Sequence, residues 1–480
     1  MRDANLNVTR RRVMLAALAA GACGACQRED SRGATVQDVS QIEDLQVARI
    51  ARPNSSAEVS ALLRTWHGAI CIGGGRYSMG GQIANATALH LDMRQMRALI
   101  ALDLVRKTVR VQAGISWRQL LDYLDPFGLS VQIMQSYANF SVGGSVSVNC
   151  HGRYVGKGAV AHSVTAITLV MADGQILEAN RLQHAALFAA AIGGYGGVGI
   201  ITEVELELAD NTPMQRSVVF VPLNEYPEWF AQHVLVAGTV ASPNAVLMHN
   251  ADLIPPDFDQ PLATSWHQTI APPNVVERLR ARHATYAKNQ NEIWAASELP
   301  GVTSLRQRER NSELNQPAPI VWRNYEASLD VASLEPRTRT FSTYLLQEYF
   351  VPVPHFSAFA LGLQQVLRQA GANVLNISIR HAPPDTLTLM RWAPSEVFCF
   401  VLYFKQRNTL AADAITARWT RQLIDLALRF GGRYYLPYRL HASLPQFKQA
   451  YPEHREFLAL KRSVDPNNRF RNQLWDKYLS

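Results

Sequence analysis

Cysteine is scarce in this chain, five in 480 residues, and two of the five fall within the first 26. The other three, Cys71, Cys150 and Cys399, are odd in number and far apart. That excludes a disulfide framework and a CxxC zinc site, so each is expected as a small buried hydrophobe and no metal centre is expected. Long Lys/Arg runs are missing as well. Arg2, Arg10, Arg11 and Arg12 against Asp3 put +3 of the formal +8 into the first 25 residues and leave +5 dispersed, which argues against a nucleic-acid partner. With 48% hydrophobic and 18% charged residues, disordered and collagen-like classes are excluded. What is present is length enough for two or three domains with a sizeable core.

The N-terminus reads as an address. Thr9-Arg10-Arg11-Arg12 precede the apolar run Val13 to Ala22, about half of the ~20 residues that span a bilayer, as in a signal-peptide core. The arginine pair resembles a twin-arginine signal, with Val13-Met14 where that motif usually carries Phe-Leu, and that route moves folded cargo. Ala20-Gly21-Ala22 before Cys23 fits either a small-residue cleavage site or a lipobox whose thiol accepts a lipid. A periplasmic or envelope location is expected, soluble or anchored at Cys23, with residues 1–26 as signal and 27–44 as a polar linker.

Order is expected from Leu45. Ser55-Ser56-Ala57-Glu58 has capping-box spacing before Val59, Leu62, Leu63 and Trp66, and Ser116 opens a second amphipathic helix through Trp117, Leu120, Leu121 and Leu124. Val164–Met171 and Gln175–Glu178 flank Asp173-Gly174, a hairpin signal in which both turn positions call for positive φ. Ile200 to Leu208 alternates as a strand. Composition shifts at Asn211-Thr212-Pro213, beyond which strands are expected at Gln347–Pro352, Asn373–Arg380 and Val397–Lys405, and a long helix at Ala414–Phe430. Strands and helices mix without βαβ alternation, so the fold class is α+β. The expected division is a first domain at 45–210, a second at 211–430, and a C-terminal segment, 431–480, returning to the first.

Three glycine-rich segments in the first domain call for close approach of backbone to a ligand. A dinucleotide fingerprint fails at Gly73-Gly74-Gly75-Arg76-Tyr77-Ser78, where Ser takes the third glycine position and no helix follows. The order along the chain carries more: GGGRYSMGGQ, a VxVxAG strand closed by Gly114, SVGGSVSVNCHG, TLVMADG, then GGYGGVGIITEVELEL. This series resembles the FAD-binding domain of the vanillyl-alcohol oxidase and p-cresol methylhydroxylase (PCMH-type) superfamily. Within it, the His-Gly pair and Gly431-Gly432-Arg433-Tyr434-Tyr435-Leu436 are most similar to decaprenylphosphoryl-ribose oxidases, then to aldonolactone and alditol oxidases.

The resemblance implies a two-subdomain FAD-binding domain under an α+β substrate domain that covers the flavin. It implies that Gly73, Gly74, Gly75, Arg76, Tyr77, Ser78, Met79 and Gln82 cradle the pyrophosphate, with Gly114 beside them. Ser141, Gly144, Ser147, Asn149, Cys150, His151 and Gly152 would line the flavin, and Ile200 and Ile201 would meet it through backbone groups. Tyr77 stands where many relatives carry a linking His, so FAD is expected to be noncovalent. Aldonolactone and alditol oxidases carry a Glu-x-Arg pair beside the flavin; here Ser378-Ile379-Arg380 keeps the Arg and lacks the Glu. The family also has a Lys five residues beyond an Arg, and after Arg433 that position is Tyr438.

The resulting expectation is an exported FAD-dependent enzyme oxidising a CH–OH group of a small sugar, polyol or lactone. Arg380 would stabilise the reduced ring, and Tyr438 or Tyr403 would take the proton through a lowered phenol pKa. Oxygen, a quinone or another carrier remain open as electron acceptor. Two alternatives also stay open, a flavin oxidase of phenols or amines and a flavin-binding lipoprotein without turnover.

Overall fold

The glycine-rich half of the sequence folds as a six-stranded and a three-stranded sheet with a two-stranded one at its start, and the aromatic-rich half as one large sheet. The computed structural model describes residues 33–479 apart from 240–243, 283, 300–301, 303–313 and 315–317. The expected signal and lipid-acceptor cysteine lie outside the described residues. Residues 33–44, expected as linker, are built into the fold. β1 (Ala34–Val36) pairs antiparallel with β2 (Leu45–Val47), Val36 and Val47 are buried, and the Val39 N–H donates to the Arg76 carbonyl at 2.9 Å. The polar composition hid this because only alternate residues are buried.

A parallel sheet follows, β3 (Arg49–Ala51), β5 (Leu89–Asp92) and β4 (Ile70–Gly73), in the order β3-β5-β4. Helix α1 (Ser56–Thr65) starts at Ser55, whose hydroxyl accepts from Glu58 N–H. The second sheet has six strands, ordered β10-β9-β11-β7-β6 with β8 also on β11. These are β6 (Leu99–Asp103), β7 (Thr108–Gln112), β8 (Leu129–Val131), β9 (Val164–Val170), β10 (Ile176–Asn180) and β11 (Ile200–Asp210). The β9–β10 turn differs from the expectation, because only Gly174 is left-handed, at φ 85°. Asp173 instead caps Gln175 N–H with its side chain, an Asx turn that makes the second positive φ unnecessary. Helix α2 (Trp117–Leu124) carries the complete capping box at Ser116 and Gln119. The segment read as a second glycine loop contains helix α3 (Val142–Ser147), and α4 (Ala185–Ala191) precedes the third glycine-rich stretch.

From Pro213 an eight-stranded sheet takes over, ordered β15-β12-β14-β13-β17-β18-β16-β19. Its strands are β12 (Pro213–Phe220), β13 (Val246–Leu253), β14 (Leu262–Gln268), β15 (Ile320–Trp322), β16 (Ser342–Pro352), β17 (Val374–Ala382), β18 (Val397–Arg407) and β19 (Arg433–Tyr434). Phe398, Phe400, Leu402 and Phe404 of β18 are almost completely buried. They point towards the helices Phe356–Ala370 and Leu410–Arg429, with ring contacts Phe359–Phe400 and Phe404–Trp419 both at 4.9 Å. The second helix begins earlier than expected because the Thr409 hydroxyl caps Ala412 N–H. The alternate residues of these strands face the other way, towards the two smaller sheets, and that face forms one wall of a cavity. No helix among the described residues is long and apolar enough to cross a membrane. This is an α+β fold.

Candidate active site

The cavity, about 500 Å³, is bounded on one side by the glycine-rich segments and on the other by the eight-stranded sheet. On the glycine side Ser141 ties two segments together: its hydroxyl accepts from Gly75 N–H at 3.0 Å, and a Cβ on Gly74 would collide with that same hydroxyl. Arg76 is held at φ 64°, a left-handed conformation that is costly for a long side chain and marks a backbone shaped for contact. The main-chain N–H groups of Gly74, Arg76, Tyr77 and Ser78 find no acceptor among the described residues, whereas Gly75 and Met79 donate to Ser141 and Pro437. Unsatisfied donors along a cavity wall fit a phosphate ligand. The Arg76 side chain turns away to Asp92 at 3.1 Å, and Tyr77 stacks on Phe140 with centroids 4.1 Å apart.

Gly74, Gly75, Arg76, Tyr77, Ser78, Met79, Gln82, Ser141, Gly144, Ser147, Cys150, His151 and Ile201 line the cavity, as do Arg380, Tyr403 and Tyr438 from the other side. Five residues expected at the ligand stand behind the wall instead. A Cβ on Gly73 would meet His90, on Gly114 the Met93 carbonyl, and on Gly152 the Met134 carbonyl. These glycines therefore serve backbone packing. Asn149, at φ 51°, directs its amide to Asp385 at 2.8 Å. Ile200 pairs with Val170 and packs under the sheet.

The strand wall is polar in its middle. Ser378 lies opposite Asp252 of β13 on one side and Val401 of β18 on the other, and Val401 lies opposite Glu348 of β16. One transverse row thus carries Asp252, Ser378, Val401 and Glu348. Arg380 sits one step along, facing the same way, and has no hydrogen-bond or ion-pair partner among the described residues; its Nε is buried. Asp252 accepts from Asn376 at 2.7 Å and from Asn250 at 3.3 Å. Arg153, over the Trp266 ring at 4.6 Å, is paired with Glu326 at 3.3 Å. The outer part of the wall is apolar, formed by Ile293, Leu334, Tyr344, Leu375 and Tyr403.

The two halves meet at His151. Its Nε2 lies 2.5 Å from Glu348 Oε1, and the Tyr438 hydroxyl donates to the other carboxylate oxygen at 3.3 Å. Tyr438 differs from the expectation of a lowered phenol pKa. Burial, and then the negative Glu348, hold Tyr438 well above its ordinary value, outweighing Arg380. The Tyr403 hydroxyl is committed to the Leu334 carbonyl at 2.5 Å. The Cys399 thiol approaches His151 and Glu348. Burial raises its pKa far above that of a free thiol, so it stays protonated and is a poor metal ligand. The other two thiols, Cys71 and Cys150, are buried and pushed up to about 12.

Sequence reading missed Glu348, Asp252, Asn250 and Asn376. The signal for the last was present: Asn376, Ser378 and Arg380 alternate with Leu375, Ile377 and Ile379, a strand with one polar face.

Comparison with known proteins agrees with this division. Residues 47–180 match the FAD binding domain family, and residues 287–478 match the D-arabinono-1,4-lactone oxidase family. The chain is 32% identical to L-gulonolactone oxidase of Mus musculus over 150 residues, 31% of this chain and 34% of that protein. It is 22% identical to decaprenylphosphoryl-beta-D-ribose oxidase of Mycolicibacterium smegmatis over 433 residues, 85% of this chain and 88% of that protein. To the mitochondrial L-galactono-1,4-lactone dehydrogenase of Arabidopsis thaliana it is 28% identical over 177 residues, 36% of this chain and 29% of that protein. The match to the L-gulonolactone oxidases thus spans only 34 to 40% of their length. With free loop N–H donors on one wall of the cavity and a large sheet on the other, the chain is similar to the PCMH-type FAD-binding oxidoreductases.

Proposed function

We propose that this protein oxidises a CH–OH group of a small polyhydroxylated substrate, a sugar, polyol or lactone. The observation that carries this reading is the polar row across the strand wall, where Asp252 with its amide partners and the unpaired Arg380 face the same cavity as the glycine segments. A carboxylate and carboxamides bind hydroxyl groups in a fixed geometry, and a fixed guanidinium favours negative charge arising beside it without reorganisation. FAD, when bound, supplies the two-electron acceptor. The Gly74–Ser78 backbone would hold it, and Tyr77, stacked on Phe140, offers no imidazole for a covalent link, so the cofactor is noncovalent. The eight-stranded sheet closes the cavity and keeps water from the reacting carbon.

The experiment is anaerobic mixing of the yellow protein with a panel of polyols, lactones, phenols and amines while the flavin absorbance is followed. Bleaching by hydroxylated compounds supports the reading. Bleaching by phenols alone favours a second one, for which the apolar outer wall of Ile293, Leu334, Tyr344 and Leu375 speaks.

We further propose export, with lipid attachment at Cys23, on the sequence of the first 26 residues. A noncovalent cofactor has to be acquired before crossing the membrane, which calls for a route that carries folded cargo. Replacing Arg10, Arg11 and Arg12 with Lys should leave folded flavoprotein in the cytoplasm, and normal export of that variant would defeat the proposal.

A further inference from the structure

We propose that Glu348 takes the hydroxyl proton of the substrate, with His151 and Tyr438 holding it for that task. The inference rests on the reading that a CH–OH carbon is oxidised in this cavity. Glu348 is 2% exposed, on a central stretch of β16, and lines the cavity wall. An ionised carboxylate accepts hydrogen bonds and donates none, so the 2.5 Å contact makes His151 Nε2 the donor, and the Tyr438 hydroxyl is the second donor. Two donors stabilise the anion that burial would otherwise disfavour. His151 Nδ1 has no partner among the described residues, which leaves the imidazole free to rebalance its protons.

The other candidates on the wall are occupied. Tyr403 has its proton committed to a backbone carbonyl. Tyr438 is held protonated by burial and by Glu348 itself. Asp252 accepts one carboxamide N–H on each oxygen and lies three strands across the row from Glu348, placed for a hydroxyl elsewhere on the substrate. Among these candidates it is Glu348 that bonds across to the glycine-rich half, through His151. It also answers the absence noted at Ser378: the acid of the Glu-x-Arg pair is missing there, and two strands away in the same row a carboxylate is present.

In the step, the substrate C–H bond breaks and its hydrogen leaves with the electron pair to the bound flavin. The O–H bond breaks, its proton passes to Glu348, and the electrons left behind close the C=O bond. Two electrons and two hydrogens leave the alcohol, and the proton rests on the Glu348 carboxyl, which keeps its bond from His151 Nε2–H, until solvent removes it.

The test uses the full-length FAD-loaded protein and a compound that bleaches the wild type. Glu348→Gln should slow flavin reduction by ~10²- to 10⁴-fold, the range of a lost general base, and should remove the ionisation that makes the wild-type rate rise with pH. His151→Gln should move that ionisation without abolishing it. Glu348→Asp, which keeps a carboxylate, should restore part of the rate and the pH dependence. A second readout does not depend on rate. The infrared difference spectrum of the wild type on reduction by the alcohol should gain a protonated-carboxyl band that Glu348→Gln lacks after prolonged reduction. If Glu348→Gln, folded and yellow, reduces within about threefold of the wild type with the same pH profile, Glu348 is not the base and the reading of the cavity stands. If Glu348→Gln does not fold, an unchanged pH profile in His151→Gln overturns the inference. If no alcohol bleaches the wild type, the reading itself falls.

Discussion

A partly buried guanidinium without a counterion among the described residues, as Arg380 is, costs free energy unless something negative arrives beside it. Arg380→Ala should therefore slow flavin reduction by ~10²-fold or more, on the scale of losing one preorganised donor, while leaving thermal stability nearly unchanged. Rapid-mixing absorbance and a melting curve check the two halves of that expectation. At this scale the glycine loop and Arg380 were legible because each keeps its residue type in an ordered series of motifs. Glu348 was not. It follows Gln347 in a strand, both residues are buried, and successive strand residues point to opposite faces, so one of the two had to face the cavity side. Sequence alone does not say which, nor that the burial is against a cavity. The phenol of Tyr438 misled for a related reason: proximity to Arg380 suggested acidity, and burial outweighs it.

Among the elements, the strands β16, β17 and β18 were readable because both of their faces are covered, which gives nearly continuous apolar runs. The helix α3 was unreadable from propensity, since glycine and serine disfavour helix interiors. Tertiary contacts impose it: Val142 and Gly143 N–H groups donate to the Ile115 and Ala113 carbonyls at 2.8 and 2.7 Å. A Cβ on Gly143 would sit 2.5 Å from the Ala113 Cβ and 2.9 Å from its carbonyl oxygen. Gly143→Ala, although it raises helix propensity, should destabilise the protein by about 1–3 kcal/mol through overpacking and lower the flavin content of the purified protein. Urea unfolding and the ratio of flavin to protein absorbance measure these. A more stable variant with full flavin would show that the helix does not depend on this contact.

For the molecule as a whole, buried imidazoles set a pH limit. His90 and His441 are held down to about 4 and His249 to about 3, in each case chiefly by burial. In the unfolded chain they bind protons from about pH 6.5 downwards. Stability is therefore complete above that pH and falls as pH drops towards 4, where the unfolded state holds the extra protons. With His90 at about 4, its share of the loss is about 3 kcal/mol. Unfolding free energies measured across this range should fall less steeply in His90→Gln than in the wild type, and equal slopes would show that His90 protonates in place.

The last residues of the chain reach back into the first sheet. Phe470 bridges to Ile70 on the free side of β4, with Ile70 N–H donating to Arg469 and Arg471 N–H to Ile70. Lys461, almost completely buried, ties Asp465 and the Phe470 carbonyl to Gly197 in the third glycine-rich stretch, and the Trp475 indole donates to Gly194. During synthesis, the cofactor cradle is thus incomplete until residues 461–475 have been made and have cleared the ribosome. A nascent chain stalled at residue 450 should bind no FAD, whereas one released at 480 should become yellow. Contacts spanning nearly the whole sequence also make the final assembly slow relative to local folding, so flavin uptake would report completion of the entire polypeptide.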